Sequence, residues 1–154
     1  MIDLHSHILP GIDDGASDIE ASMVLIRELA AGGVTDVFAT PHYIDETIYT
    51  SPATANKKLV SKLKRLVKKE GLDICVHLGN EIYINRGILK LLKSGEISSL
   101  GSSKYLLVEL PMGGDFPGYR DIFLELIRSG YNVVLAHPER YTSFQKDFSL
   151  IDEM

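Results

Sequence analysis

Apolar residues in this chain gather in five short runs, and between the runs they recur with a helical period. Ile2 and Leu4 flank Asp3 in a first strand. Strand side chains two residues apart share a face, so His5 and His7 leave that strand side by side. Ser17 and Glu20 fit an S-x-x-E capping box, and Ile19, Met23, Ile26 and Ala30 repeat at helical spacing up to Gly32-Gly33. These features predict a helix over residues 18–31. The run V-T-D-V-F-A-T-P-H predicts a second strand ended by Pro41, with His42 just past it. A second helix follows over 52–70, with Leu59, Leu63, Leu66 and Val67 on one face. D-I-C-V-H-L-G-N-E is a third strand with Glu81 at its end, followed by a short helix around 86–94. K-Y-L-L-V-E-L-P is a fourth, ending at Glu109 and Pro111, and a helix over 119–129 follows it. N-V-V-L-A-H-P-E-R is a fifth, with His137 at its end and Arg140 in the loop beyond. Strands alternating with helices at this spacing predict an α/β fold of parallel βα units, with near-continuous apolar strands covered by helices.

Composition bounds this picture without changing it. At 154 residues, 45% hydrophobic and 24% charged, the chain is expected to be one domain spanning residues 1–154. No apolar run approaches a membrane span and the N-terminus carries no leader pattern, so a cytoplasmic protein is expected. One cysteine, Cys75, makes no internal disulfide. A net charge of −5 speaks against nucleic acid as a partner. Seven of the sixteen basic residues lie on the second helix, either as a solvated outer face or as a docking surface for an acidic partner.

The candidate chemistry lies in the placement of six residues. His5, His7, His42, Glu81, Glu109 and His137 each fall where an apolar run gives out. In parallel α/β folds these strand ends share one face, and sites are built there. Pro10 and Gly11 turn the chain after His7, so that Asp14 swings back toward the imidazoles. His77, inside the third strand, is expected to be a packed or hydrogen-bonded histidine. Imidazole and carboxylate without thiolate favour Zn, Mn or Fe, and the donors outnumber the needs of one ion. Two such ions about 3.5–4 Å apart activate water and clamp both oxygens of an in-line phosphoryl displacement. Phosphoester hydrolysis is therefore the expected reaction, with Arg140 placed to grip phosphoryl oxygens through its planar fork. A cysteine-dependent tyrosine phosphatase is excluded, because C-x5-R from Cys75 would need arginine where Glu81 stands.

Together, D-L-H-S-H-I-L-P-G-I-D-D-G, T-P-H, G-N-E, V-E-L-P and A-H-P-E-R resemble the polymerase and histidinol phosphatase (PHP) superfamily. Within it the chain resembles the bacterial manganese-dependent protein-tyrosine phosphatases of capsule and exopolysaccharide operons. The resemblance implies a distorted, TIM-like (β/α)7 barrel with up to three Mn2+ (or Zn2+ or Fe2+) ions at the strand ends. It implies a phosphotyrosine protein substrate, the tyrosine-rich tail of a partner kinase. Carried over, His5, His7 and Glu81 hold a first metal, and Glu81 bridges to a second completed by Glu109 and His137. Asp14 and His42 hold the third, with Asp13 as a substitute for Asp14, and Arg140 matches an arginine that engages the phosphate.

The family's last third, with its D-x-H motif, has no counterpart here. The resemblance therefore implies a truncated barrel with open edges at strands one and five, expected to self-associate. It also leaves open a catalytically weak metal-binding remnant and another PHP phosphatase, such as one acting on histidinol phosphate.

Overall fold

The computed structural model describes residues 1–45, 47, 49–113 and 116–151. Strands and helices alternate as β1 (Ile2–Ser6), α1 (Ile19–Ala31), β2 (Asp36–Ala39), β3 (His42–Tyr43), α2 (Ala53–Glu70), β4 (Cys75–Leu78), β5 (Glu81–Tyr83), α3 (Ile88–Ser94), β6 (Tyr105–Glu109), α4 (Phe116–Arg128), β7 (Asn132–Leu135) and α5 (Thr142–Lys146). Every pairing between these strands is parallel, as the βα alternation requires.

Two of the five expected strands are each broken in the middle. Pro41 has no N–H to continue a ladder and separates β2 from β3. Gly79 and Asn80 separate β4 from β5, and a larger residue at Gly79 would push side chains aside, since a Cβ there would lie 2.8 Å from Leu100 Cδ2 and 3.2 Å from Thr40 Cγ2. The strands consequently form a three-stranded sheet, β1-β2-β4, and a four-stranded sheet, β3-β5-β6-β7. Among the described residues β1 and β7 each pair on one side only, so the strands do not close into a barrel.

Strand alternation sorts side chains between two layers. Leu106 and Val108 of β6 pack outward with Ile82, Ile122 and Phe123 under α3 and α4, and Val37 and Ala39 of β2 pack with Met23, Ile26, Val60 and Leu63 under α1 and α2. Leu107, Phe38 and Val134 gather on the inner face around Leu100. Each fully buried aliphatic side chain contributes roughly 1.5–3 kcal/mol, so these helix-covered layers carry most of the driving force. The first helix is capped differently from the S-x-x-E reading: Asp18, not Ser17, accepts the Ala21 N–H at 2.9 Å, and Glu20 turns to Arg27 at 3.0 Å. No helix among the described residues is long and apolar enough to cross a membrane.

Candidate metal centre

The site begins with an irregularity in β1. Its pairing register with β2 shifts between Asp3 and Ser6, where the Asp3 carboxylate accepts the His5 N–H at 3.1 Å. A bulge re-aims side chains. Leu4 lines the inner apolar hollow, and yet both His5 and His7 face the cavity at the strand ends. Their Nε2 atoms come within 3.1 Å of each other. Beyond β1 the chain folds tightly back on itself at Gly15, where any Cβ would collide with the His7 carbonyl and Cβ.

All seven sequence-predicted donors and Arg140 line one cavity of about 560 Å³. Glu81 is its centre, with a side chain only 1% exposed. Its Oε2 lies 3.0 Å from His5 Nε2, 3.2 Å from His7 Nε2 and 3.1 Å from His42 Nδ1, and its Oε1 lies 2.9 Å from His137 Nε2. Glu109 closes from the far side, 3.5 Å from His137 Nε2 and 3.6 Å from His42 Nδ1. Asp14, 66% exposed, stands at the rim 3.6 Å from His42 Nε2. Donor atoms converge within 4.8 Å in three groups: His5, His7 and Glu81; His7, Asp14 and His42; and His42, Glu81 and Glu109. The first is the trio expected from sequence. The second adds His7 to the expected pair of Asp14 and His42, and the third brings His42 to the Glu81–Glu109 pair that His137 also meets.

Asp13 is not an alternative ligand at the rim. Its side chain is 1% exposed, and its Oδ2 accepts from His7 Nδ1 at 2.7 Å and from the His42 N–H at 3.1 Å, while Oδ1 accepts from the Gly15 N–H at 3.1 Å. It thereby ties the end of β1 to the start of β3 and leaves His7 Nε2 free to face Glu81. Asn80, fully buried beside Glu81, donates to the Pro41 and Ser51 carbonyls at 3.3 Å and accepts from the Ser98 N–H at 2.9 Å. Tyr141, also fully buried, donates its hydroxyl to the Ala136 carbonyl at 2.8 Å and accepts the Leu110 N–H at 3.0 Å. One hydroxyl thus couples the residues next to Glu109 and His137. Sequence patterning passed over Tyr141 because it looks like an ordinary core aromatic; only its place four residues after His137 hinted at more. His137 itself adopts left-handed backbone, φ 33° and ψ 58°, a strained state of the kind that concentrates at functional sites. His77, as expected, is a structural histidine: it bonds Asp36 at 2.8 Å and stacks on Phe38.

The electrostatics are those of a cation site. Burial opposes charge on His7, but Asp13 and Glu81 push its imidazole up to about 10. Burial likewise disfavours the Glu81 anion, yet His5 and His7 hold its carboxyl well below the usual range. Glu109 goes the other way, raised by burial and by the Glu81 charge. Glu81 Oε2, His42 Nδ1 and His137 Nδ1 are buried without a hydrogen-bond partner. Three imidazole nitrogens crowd one carboxylate oxygen without hydrogen-bond geometry, an arrangement that a divalent cation would satisfy. The donor set, imidazole and carboxylate only, fits Mn, Zn or Fe.

Comparison with known proteins agrees with this geometry. The tyrosine-protein phosphatase YwqE of Bacillus subtilis is 36% identical over 154 residues, spanning 98% of this chain and 59% of that protein. The tyrosine-protein phosphatase CpsB of Streptococcus pneumoniae is 28% identical over 154 residues, spanning 100% of this chain and 63% of that protein. A crystal structure from work on YwqE and CpsB, described there as metal-dependent tyrosine phosphatases, matches with a TM-score of 0.91 and 34% identity, covering 99% of this chain and 62% of that one. The chain therefore spans about three fifths of the length of the relatives it matches. Residues 1–154 match the family model for capsular polysaccharide synthesis, CpsB/CapC, and with five other strand-end donors gathered around Glu81 in one cavity, the chain belongs to that family.

Proposed function

We propose that this chain carries the metal centre of a phosphoester hydrolase, a protein-tyrosine phosphatase that acts on a bacterial tyrosine kinase of polysaccharide export. The observation that carries the reading is the convergence of His5, His7, His42, Glu81, Glu109 and His137 in one cavity with Arg140 at its edge. The relatives' names support the reaction class, and the imidazole and carboxylate donor set supports two to three divalent ions, Mn2+ being the one the family resemblance implies and Zn2+ or Fe2+ the alternatives. His5, His7 and Glu81 would hold one ion, Glu81, Glu109 and His137 a second, and Asp14 and His42 a third. When bound, the ions supply Lewis-acid charge and activate water for attack at phosphorus.

The chain's own residues do the rest. Asp13 fixes the His7 ring so that Nε2 points inward. Tyr141 holds the Glu109 and His137 strand ends together. Arg140, with a side chain 60% exposed, presents its guanidinium to the phosphoryl oxygens and leaves the aryl group room in the open cavity. Residues 1–154 act as one PHP-like unit of a cytoplasmic protein, and the free edges of β1 and β7 are the surfaces through which copies associate.

The test is metal-stripped protein titrated with Mn2+, Zn2+ or Fe2+ while bound metal and hydrolysis of para-nitrophenyl phosphate and a phosphotyrosyl peptide are followed on the same sample. Turnover should rise with bound metal, vanish with chelator, and be lost together with metal in Glu81→Gln. Metal binding without turnover would overturn the hydrolase reading, and turnover without metal would overturn the role of the donor set.

A further inference from the structure

The cations of this chain are segregated. Residues 53–70, which form α2, hold seven lysines and arginines and one glutamate, a net +6, leaving −11 on the rest of a chain whose total is −5. Lys58 with Lys62, Lys64 with Lys68, and Arg65 with Lys69 stand four residues apart, where like charges weaken a helix. The one carboxylate of the helix, Glu70, is committed to Arg27 of α1 at 2.8 Å. Among the described residues none of the seven forms an ion pair. A helix face that only had to be wet would interleave both signs.

The charge has a shape beside it. One flank of α2 lies along β4, which among the described residues pairs with β2 alone, and between them run hollows of about 420 and 390 Å³. Lys64 and His77 line both, so the two form one groove, with Lys57 toward one end and Lys68 toward the other. Val60 and Val67 give it an apolar wall, and Ser98 and Ser102 add polar groups.

We propose that this groove docks an extended, acidic polypeptide segment. Lys57, Lys64 and Lys68 are separated along the helix by about 10 and 6 Å, at 1.5 Å per residue. An extended chain rises about 3.3 Å per residue and turns alternate side chains to one face, so acidic side chains about four and two positions apart on that face come within reach of the three long lysine side chains. A long uniform polyanion such as nucleic acid is disfavoured, because its charge continues past the groove onto a surface carrying −11. That the segment belongs to the phosphotyrosine-bearing partner rests on the proposed phosphatase function; the preference for acidic peptide does not.

The experiment measures binding of a fluorescent, unphosphorylated random copolymer of glutamate and tyrosine to the full chain by anisotropy. Affinity should fall as salt is raised. Replacing Lys57, Lys64 and Lys68 together by Gln should weaken it at least about tenfold, as expected for three partly exposed charge contacts. The equal-charge control, with Lys58, Lys62 and Lys69 changed to Gln on the outward side, should weaken it far less. Both variants relieve like-charge pairs and should melt no lower than the parent, so lost binding will not be lost folding. Equal losses in the two variants, no binding at low salt, or equally tight binding of a DNA oligonucleotide would each overturn the proposal. Turnover of para-nitrophenyl phosphate, which does not reach the groove, should be the same in both variants and tests the phosphatase reading separately.

Discussion

Changing Tyr141 to Phe removes one oxygen atom and should be felt at both the fold and the metal centre. The ring is fully buried, with its centroid 5.6 Å from that of His137 and 6.0 Å from that of Phe144, so Phe keeps the packing and opens no cavity. The hydroxyl is the hydrogen-bond partner of the Leu110 N–H and of the Ala136 carbonyl, and both residues are only 1% exposed. An orphaned buried backbone group costs about 1–3 kcal/mol. Two such groups, less the desolvation that the absent hydroxyl no longer suffers, give a net loss of about 2–4 kcal/mol. For a domain of this size that is a fall in Tm of roughly 5–15 °C. Because Leu110 follows Glu109 and Ala136 precedes His137, the same change should loosen the second proposed ligand group. Urea unfolding of the metal-free protein reads the first effect and calorimetric metal titration the second, with Tyr105→Phe, at an exposed position, as control. A stability loss under about 0.5 kcal/mol, the size expected of an ordinary surface change, would refute the tether.

Three further outcomes follow from the same geometry. Arg140→Ala should cut kcat on an aryl phosphate by about 10²-fold with metal content unchanged, as expected for a lost donor to developing charge; unchanged turnover would make Arg140 an ordinary surface residue. Metal-free protein should be most stable at mildly acidic to neutral pH. The contributions of the depressed Asp13 and Glu81 carboxyls are present above the usual carboxylate range and are lost as pH falls below it through their lowered folded-state values, whereas that of His7 is full below 6.5 and is lost as pH rises toward about 10. Melting temperatures of chelator-treated protein that stay level up to pH about 10 would contradict the His7 assignment. Asp13→Asn should reduce the number of protons released on metal binding near neutral pH, measured by titration calorimetry in two buffers. Without the facing carboxylate His7 binds its proton less tightly before the metal arrives, so an unchanged proton count would mean that Asp13 does not govern this imidazole.

The sequence by itself determined the order of βα units, the parallel pairing and the strand-end residues that line the cavity. Each is a local signal: apolar runs two residues in period, helical repeats ended by Gly32, Gly71 and Gly95, and histidines or glutamates placed where a run gives out. The family resemblance rested on the same short motifs, which is why it held across residues 1–154. What only the tertiary structure decided depends on contacts between distant residues. The breaks at Pro41 and at Gly79-Asn80 turn five runs into seven strands, and that Gly79 lies close against the Leu100 and Thr40 side chains appears only in the packed structure. Adjacent Asp13 and Asp14 look alike in sequence, yet the chain reversal at Gly15 buries one against His7 and His42 and leaves the other at the rim. The bulge in β1 that turns His5 and His7 to one cavity appears only in the register with β2. Tyr141 reads as core until its hydroxyl is seen to bridge Leu110, 31 residues away, to Ala136. Periodicity reports which face a residue takes within its own element; which groups then share a proton, a carboxylate or a cation is set by where separate elements bring their ends together.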